Sequence, residues 1–184
     1  MVNFDLQGRK ALVTGGARGL GAGMAQALAA AGASIVVADI LDDTGEATVQ
    51  GLRASGANAH FVHLDVTDEA QWEAAVNTTV QTLGGFDILV NNAGVEETAL
   101  VADIDVAALR RMLDVNIVGT ALGLKHAFRA MRPGGAAGQG GAVVNVASVA
   151  ATIAFPAIAG YSSTKSAVDR LTRVAAMESG QLGY

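Results

Sequence analysis

The sequence predicts a three-layer α/β/α fold built around a doubly wound parallel sheet. Short apolar runs typical of buried strands alternate with segments of helical pattern, beginning with Lys10–Val13 and Ser34–Ala38. The first run ends on a glycine-rich turn that opens a helix, and the second ends on Asp39. Regular alternation of this kind is typical of β-α-β units that share one sheet.

Composition favours one buried domain, spanning residues 1–184, that binds a small molecule. Hydrophobic residues make up 51% of the chain, and the mean hydropathy is +0.38. The net charge of −5, without clustered lysine or arginine, argues against nucleic acid and against an anionic membrane surface. The charge-free runs Leu20–Ala38 and Pro133–Thr164 are interrupted by glycine and polar residues, so we expect no membrane span. The lack of cysteine and of a signal-peptide pattern favours a cytoplasmic location.

The first predicted strand ends in the turn Thr14-Gly15-Gly16-Ala17-Arg18-Gly19-Leu20-Gly21, and a helix over Ala22–Ala31 follows it. Glycines here would let the backbone approach a pyrophosphate closely while the N-terminal amides of the helix face the anion. A plain tight turn is the alternative. The position between a strand and a helix favours a dinucleotide site.

Asp39 follows the second strand, eighteen positions after Gly21. A carboxylate there can accept hydrogen bonds from a ribose 2′-hydroxyl and would repel the 2′-phosphate of NADP, which favours NAD. Arg18 indicates the opposite preference, because a guanidinium in the glycine turn could bind that phosphate. A helix cap or a solvated loop charge is the other interpretation of Asp39.

The middle of the chain continues the alternation and has polar residues at its strand ends. The predicted elements are a helix over 44–55, a strand over 59–64, a helix over 68–83 capped by Thr67 or Asp68, and a strand over 86–90. Asp65-Val66 follows the third strand, and Asn91-Asn92-Ala93-Gly94 follows the fourth, as a turn over a ligand or an ordinary strand-end turn. His60 and His63 have no third ligand nearby in the sequence, so we predict no metal site.

Two further predicted helices, over 105–115 and 117–131, meet at Asn116 within an apolar segment. A buried amide needs hydrogen-bond partners, and Asn116 could satisfy backbone groups or hold a water near a catalytic cluster. After a glycine-rich loop over 133–141, the fifth strand, Ala142–Ala147, delivers Ser148 to the carboxyl end of the sheet. Open α/β sheets bind their ligands at that end.

Tyr161 and Lys165 lie four positions apart, on one face of a helix that we expect to begin at Gly160. A phenol is a weak acid at neutral pH, but a neighbouring cation and the positive end of a helix dipole both favour the phenolate. A tyrosine and a lysine at this spacing also occur by chance on many helices. The pair therefore gains meaning only from the rest of the chain.

Together these motifs resemble those of the short-chain dehydrogenase/reductase family, in its short single-domain branch, from the first strand onward. The matching positions are Thr14-Gly15-x-x-x-Gly19-x-Gly21, Asp39, Asp65-Val66, Asn91-Asn92-Ala93-Gly94, Asn116, Ser148 and Tyr161-x-x-x-Lys165. The resemblance implies a Rossmann-like fold, an NAD(P) cofactor, and interconversion of a secondary alcohol and a ketone.

The resemblance also implies roles for individual residues. Tyr161 would be the general acid/base, and Ser148 would hydrogen-bond the same substrate oxygen. Lys165 would favour the phenolate and hold the nicotinamide ribose, while Asn116 would anchor a water that links Lys165 to solvent. Asp65 would contact the adenine ring. The implied cofactor-binding residues are Gly15, Arg18, Gly19, Leu20, Gly21, Asp39, Asp65, Val66, Asn92, Ala93, Gly94, Tyr161 and Lys165.

The remaining expectations concern substrate, assembly and extent. The segment between Ser148 and Tyr161 would form an apolar wall, which favours a hydrophobic or cyclic secondary alcohol; its residues are Val149, Ala150, Ala151, Phe155 and Ile158. The resemblance implies a homotetramer formed through the helices at 105–131 and 161–179. In the strand order 3-2-1-4-5 the apolar strand 142–146 would be an open edge, so we expect a C-terminally truncated domain that lacks its last strands.

Several functions follow from these observations. The cofactor and proton-transfer motifs favour an NAD-dependent alcohol dehydrogenase or ketone reductase. The alternative enzyme is an NADPH-dependent ketoreductase. The alternative from a different class is a non-catalytic dinucleotide-binding subunit or sensor, because the C-terminal part of the pocket would be missing. A purely structural relic would require that NADH does not bind.

Overall fold

The computed structural model describes residues 5–182 and contains the predicted fold. Five parallel strands form one sheet in the order β3-β2-β1-β4-β5. The strands are β1 (Lys10–Thr14), β2 (Ser34–Asp39), β3 (Ala59–His63), β4 (Ile88–Asn91) and β5 (Ala142–Asn145). Helices flank the sheet, which confirms the Rossmann-like α/β prediction.

Six α-helices occur among the described residues. They are α1 (Gly19–Ala30), α2 (Asp42–Ala54), α3 (Glu69–Leu83), α4 (Val106–Met112), α5 (Gly119–Met131) and α6 (Ala159–Leu182). Asp68 caps α3 as predicted, since its Oδ1 accepts the backbone N–H of Ala70 at 2.8 Å. Within residues 5–182, none of the helices combines the length and the apolar character that a membrane crossing requires.

Each face of the sheet has its own hydrophobic core. Leu12 packs on one face, where Trp72 of α3 is fully buried and donates its indole N–H to the Val66 carbonyl at 2.9 Å. Val13 and Ile35 pack on the opposite face among residues of α1 and α2. Strands that are buried on both faces read as continuous apolar runs, which is why the sequence pattern located them.

The segment from Val106 to Met131 differs from the prediction. The sequence predicts two helices that meet at Asn116, whereas the chain is helical without interruption from α4 to α5 through a π-helical turn, Leu113–Val118. A π turn adds one residue to a helix without breaking it, and such turns are frequent at functional sites. The extra residue falls in the segment that contains Asn116.

β5 forms the edge of the sheet in the part of the chain that the structure describes. Among the described residues it pairs with β4 alone, and the register runs from Ile88–Ala142 to Asn91–Asn145. Val144 is 52% exposed on this edge strand. The apolar edge expected from the strand order is therefore present.

Candidate active site

A cleft with a volume of about 1190 Å³ opens at the carboxyl end of the sheet. Nearly all predicted site residues line it: Gly15, Arg18, Gly19, Leu20, Gly21, Asp39, Asp65, Val66, Asn92, Ala93, Gly94, Ser148, Tyr161 and Lys165. Asn116 does not line the cleft and is fully buried. The structure thus brings together residues that are separated by up to 150 positions in the sequence, between Gly15 and Lys165.

The glycine turn after β1 is packed tightly against the turn after β4. A Cβ atom on Gly21 would lie 2.1 Å from the Gly15 carbonyl oxygen, and one on Gly15 would lie 2.9 Å from Cα of Ala93. These two glycines are therefore required by the packing of the protein itself, a reason that the sequence alone did not indicate. Gly19 differs, because it has φ +59° and open space around its Cβ position.

The N-terminus of α1 borders the cleft beside this open space. Its N-cap residue, Arg18, makes no side-chain capping bond, and the first turn contains no acidic residue. Arg18 is exposed and has no ion-pair partner among the described residues. Uncapped amides and a helix dipole favour an anion at such a position, so the turn fits a pyrophosphate group.

The Asp39 carboxylate accepts two backbone N–H groups. Its Oδ2 accepts from Ala17 at 3.0 Å and its Oδ1 accepts from Leu41 at 3.1 Å. The first bond connects β2 to the glycine turn. The second gives a hydrogen-bond acceptor to the backbone N–H of Leu41, the residue that precedes α2. Each oxygen keeps a free lone pair, so this structural role leaves Asp39 able to accept a hydroxyl of a ligand.

Asp65 is held in a local turn at the end of β3. Its Oδ1 accepts from the backbone N–H and the hydroxyl of Thr67, at 2.9 and 2.8 Å. Its own N–H donates to Oε1 of Gln71 at 2.7 Å. These bonds engage one carboxylate oxygen of Asp65, which lies on the wall of the cleft. The adenine contact that the resemblance implies for Asp65 stays a prediction.

Thr14 belongs to the glycine motif, and the structure gives it a role that the sequence did not indicate. Its buried hydroxyl accepts the backbone N–H groups of Asn92 and Ala93, both at 3.1 Å. The Asn92 amide donates in return to the Thr14 and Gly15 carbonyls, at 3.0 and 3.1 Å. This network joins the ends of β1 and β4. The sequence feature that could have indicated this role of Thr14 is a hydroxyl at the last position of an apolar strand.

Lys165 is buried at the wall of the cleft, with 5% of its surface exposed. Its Nζ donates to the Val146 carbonyl at 2.8 Å and lies 5.8 Å from the centroid of the Tyr161 ring. Burial lowers the pKa of Lys165, because desolvation disfavours the ammonium form. The two remaining N–H groups have no acceptor among the described residues, so Lys165 can bind hydroxyls of a ligand.

Tyr161 and Ser148 reach the cleft from two different elements. Tyr161 is half-buried in the first turn of α6, which begins at Ala159, one residue before the predicted start. Ser148 precedes a short 3-10 helix, Val149–Ala151, and its Oγ accepts the Ala150 N–H at 3.1 Å. The hydroxyl hydrogen of Ser148 remains available to donate to a ligand oxygen.

The Asn116 side chain makes three hydrogen bonds. Its Oδ1 accepts the Val95 N–H at 2.8 Å, and its Nδ2 donates to the Val95 carbonyl and to Thr164 Oγ1, both at 2.9 Å. Two of these bonds are made to the backbone of Val95, so Asn116 satisfies backbone groups, as the first of its two interpretations states. The water link to Lys165 that the resemblance implies stays a prediction.

Five residues of α4 and the π turn line the cleft and were not predicted from the sequence. They are Ala107, Arg110, Arg111, Asp114 and Val115. Arg111 and Val115 are four positions apart, and this helical spacing on the segment before Asn116 was the signal that could have identified them.

Fold and site together define a class of protein. A parallel sheet with a glycine turn at the end of its first strand and an acidic residue at the end of its second is typical of dinucleotide-binding proteins. Residues 9–183 match the model of the short chain dehydrogenase family, and the chain therefore belongs to this family. The family uses an NAD(P) nucleotide cofactor.

Known proteins of similar sequence and structure agree with this assignment. The chain is 42% identical over 176 residues to trans-4-hydroxycyclohexanecarboxylate dehydrogenase of Sinomonas cyclohexanicum, with 92% of this chain and 66% of the relative covered. It is also 42% identical, over 178 residues, to 3-alpha-(or 20-beta)-hydroxysteroid dehydrogenase of Mycobacterium tuberculosis, with 97% and 66% covered.

A solved structure has the same fold. A short-chain type dehydrogenase/reductase from Mycobacterium marinum superposes with a TM-score of 0.92 at 32% identity, covering 97% of this chain and 72% of that one. The chain spans 66% of the length of the two curated relatives.

Proposed function

We propose that this protein is an NAD-dependent oxidoreductase that interconverts a secondary alcohol and a ketone. The observation that carries the proposal is that Tyr161, Lys165 and Ser148 line the same cleft as the glycine turn and Asp39. Oxidation of an alcohol removes a hydride and a proton from one CH–OH group. A proton-transfer residue beside a dinucleotide site meets both requirements.

The residues of the cleft have separate roles in the proposed reaction. When bound, the nicotinamide supplies the acceptor or donor of the hydride. The Tyr161 phenolate takes the hydroxyl proton of the alcohol during oxidation and returns it to the ketone oxygen during reduction. Ser148 donates a hydrogen bond to that oxygen, and the Lys165 ammonium favours the phenolate. Acid–base catalysis of this kind contributes on the order of 10²–10⁴ to the rate.

The preference for NAD over NADP rests on Asp39. Its carboxylate has no cation within ion-pair distance among the described residues, so its negative charge would act undiminished on a 2′-phosphate. Arg18 lies on the same cleft and is free to oppose this effect. We infer that Asp39 dominates, because it is held in place by two backbone bonds whereas Arg18 is exposed.

The substrate that fits best is an apolar, cyclic secondary alcohol or the matching ketone. The segment that follows Ser148 contains large apolar side chains that are exposed outside the cleft lining: Val149 by 60%, Ile153 by 52% and Phe155 by 46%. Exposed apolar side chains near a polar group are typical of a binding surface. The names of the two curated relatives, a hydroxycyclohexanecarboxylate and a hydroxysteroid dehydrogenase, support a ring-shaped substrate.

We also propose a cytoplasmic homotetramer assembled through the helical segment from α4 to α5 and through α6. Exposed apolar side chains of the π turn and of α6 support such contacts, namely Val118, Val174 and Met177 at 44%, 46% and 68% exposure. A sedimentation measurement that found only monomers at micromolar concentration would contradict this proposal.

Replacement of Tyr161 by Phe tests the proposed reaction. We expect kcat/KM for NAD⁺-linked oxidation of cyclohexanols and hydroxysteroids to fall about 10²- to 10⁴-fold, because the proton acceptor is lost. NADH binding, followed by its fluorescence, should persist, because the glycine turn, Asp39 and Lys165 are unchanged. Ser163→Ala is the matched control, since Ser163 is exposed on the same helix.

Two results would contradict the proposal. Full turnover by Y161F would show that Tyr161 is not the proton-transfer residue. NADH binding without turnover of any alcohol or ketone by the unmodified protein would instead favour the dinucleotide-binding sensor, and parallel assays with NADP⁺ would identify an NADPH-dependent ketoreductase.

A further inference from the structure

Three consecutive residues near the start of α6 connect this helix to three other segments around the cleft. The hydrogen-bonded pairs are Thr164 with Asn116 at 2.9 Å, Lys165 with Val146 at 2.8 Å, and Ser166 with Ala151 at 2.9 Å. The π turn, the segment after β5 and the 3-10 helix after Ser148 are thereby joined to one turn of α6. That turn begins with Tyr161.

Thr164 is the member of this set that lies between Tyr161 and Lys165. Its side chain is fully buried, with 0% exposure. Its Oγ1 donates to the Tyr161 carbonyl at 2.8 Å and accepts from Asn116 Nδ2 at 2.9 Å. One hydroxyl therefore joins the backbone of the proposed acid/base residue to the buried amide of the π turn.

We call Val95, Asn116 and Thr164 the Asn116 cluster. Both N–H groups of the Asn116 amide are used, one by Val95 and one by Thr164. Loss of the Thr164 hydroxyl would leave one of these donors buried and unpaired. A buried donor without a partner is unfavourable, so the cluster would rearrange and α6 would shift relative to the π turn.

We propose that Thr164 is a positioning residue of the proton-transfer site. Its hydroxyl sets the position of the Tyr161–Lys165 turn relative to the Asn116 cluster and to Gly94, where a Cβ atom would lie 3.2 Å from Asn116 Oδ1 and 3.5 Å from Lys165 Nζ. Misplacement of a catalytic group by about 1 Å can reduce a rate by about 10²-fold. The inference rests on the proposed function.

Thr164→Val tests this role, because valine keeps the shape and removes the hydroxyl. In the intact gene product we expect kcat to fall at least about 10-fold and at most about 10²-fold. We expect kcat to change more than KM for NAD⁺, since the glycine turn and Asp39 are untouched. The pH profile of kcat should shift, because the surroundings of Tyr161 and Lys165 change. Thr164→Ser, which keeps the hydroxyl, should restore most of the rate.

Thr172 provides a matched control two turns further along α6. Its hydroxyl donates to the Val168 carbonyl at 2.8 Å and accepts from Asn145 Nδ2 at 2.9 Å, so it makes the same kind of bridge. It does not line the cleft. Thr172→Val should lower the free energy of unfolding by no more than Thr164→Val, because Thr172 is only partly buried, and it should leave kcat and its pH profile unchanged.

Hydrogen exchange at the Val95 amide gives a readout that does not depend on turnover. This N–H donates to Asn116 Oδ1, so we expect faster exchange in Thr164→Val and unchanged exchange in Thr164→Ser. Unchanged Val95 exchange would overturn the positioning role, and so would faster exchange with an unchanged rate and pH profile. If the unmodified protein turned over no alcohol or ketone, the proposed function would fail, and Val95 exchange would still decide whether Thr164 holds the Asn116 cluster.

Discussion

Asp39 combines a structural and a proposed recognition role in one carboxylate. Its two oxygens accept the N–H groups of Ala17 and Leu41, which places the charge at the end of β2 beside the glycine turn. A carboxylate accepts about four hydrogen bonds, so two bonds to the backbone leave capacity for a ribose hydroxyl. The negative charge of Asp39 and its capacity to accept hydrogen bonds can therefore be tested separately.

Asp39→Asn removes the negative charge and keeps an oxygen acceptor at this position. We expect the ratio of kcat/KM for NADP⁺ to that for NAD⁺ to rise about tenfold or more, because repulsion of a 2′-phosphate is lost. Steady-state kinetics with both cofactors measure this ratio. Stability should also fall by about 1 kcal/mol, since an amide has one acceptor oxygen for two backbone donors.

Asp42→Asn is the matched control for this change. Asp42 is exposed at the start of α2, pairs with His63 and does not line the cleft. An equal change of the cofactor ratio in both variants would show that net charge, and not the position of Asp39, sets the preference.

At the scale of elements, the entry to α6 contains a backbone conformation that is unusual for its residue. Ala157 has φ +65°, and it is the one non-glycine residue with positive φ in the described part of the chain. Its carbonyl accepts the Ala99 N–H at 2.8 Å, and Ala99 and Ile158 form an isolated bridge. The bridge holds the left-handed residue four positions before Tyr161.

Ala157→Gly should stabilise the protein. Glycine adopts positive φ without the cost of about 1–2 kcal/mol that a Cβ atom brings, although it also gains entropy in the unfolded state. We expect a net gain of about 0.5–1 kcal/mol in the free energy of unfolding, measured by urea denaturation. Ala154→Gly, at an exposed neighbour without positive φ, should give no gain. Equal effects at both positions would rule out relief of strain.

The π turn shows why some element boundaries could not be predicted. The apolar periodicity on both sides of Asn116 predicted helices, and helices are present. The extra residue between them depends on partners that are distant in the sequence: Val95 and Thr164 both bond the Asn116 side chain. Local pattern carries no information about those contacts, so the single uninterrupted helical segment was missed.

At the scale of the whole molecule, we expect stability to depend on pH through a buried histidine between α3 and α5. His126 is 8% exposed, and its Nε2 is buried, lies 3.5 Å from Oε1 of Glu69 and makes no hydrogen bond within residues 5–182. Burial lowers the pKa of His126 below 6.5, and the positive charges of Lys125 and Arg129 act in the same direction while Glu69 opposes them. The folded protein therefore binds a proton at this site less readily than the unfolded chain.

The free energy of unfolding should consequently fall as the pH decreases below 6.5 towards the folded pKa of His126. Above pH 6.5 both states are neutral at this site, and the contribution is fully present. His126→Leu should flatten this part of the profile, as measured by urea denaturation between about pH 5 and 7.5. A profile of the same slope in the variant would assign the acid sensitivity to other groups.

The sequence by itself determined the strands, their alternation with helices and the residue types of the cleft. Apolar runs, glycines and strand-end polar residues are local signals, because burial on both faces and tight turns each require a particular residue type at a particular position. These local features occur along the chain as the motifs of one family, which connects them to a common fold.

Only the tertiary structure decided which groups meet. It showed that Gly15 and Gly21 are required by close packing, that Asp39 is held by Ala17, and that Thr164 joins Asn116 to the turn of Tyr161. These contacts link segments that are far apart in the chain. Their distances depend on how the sheet and helices pack together, and the pattern of residues along a single element does not contain that information.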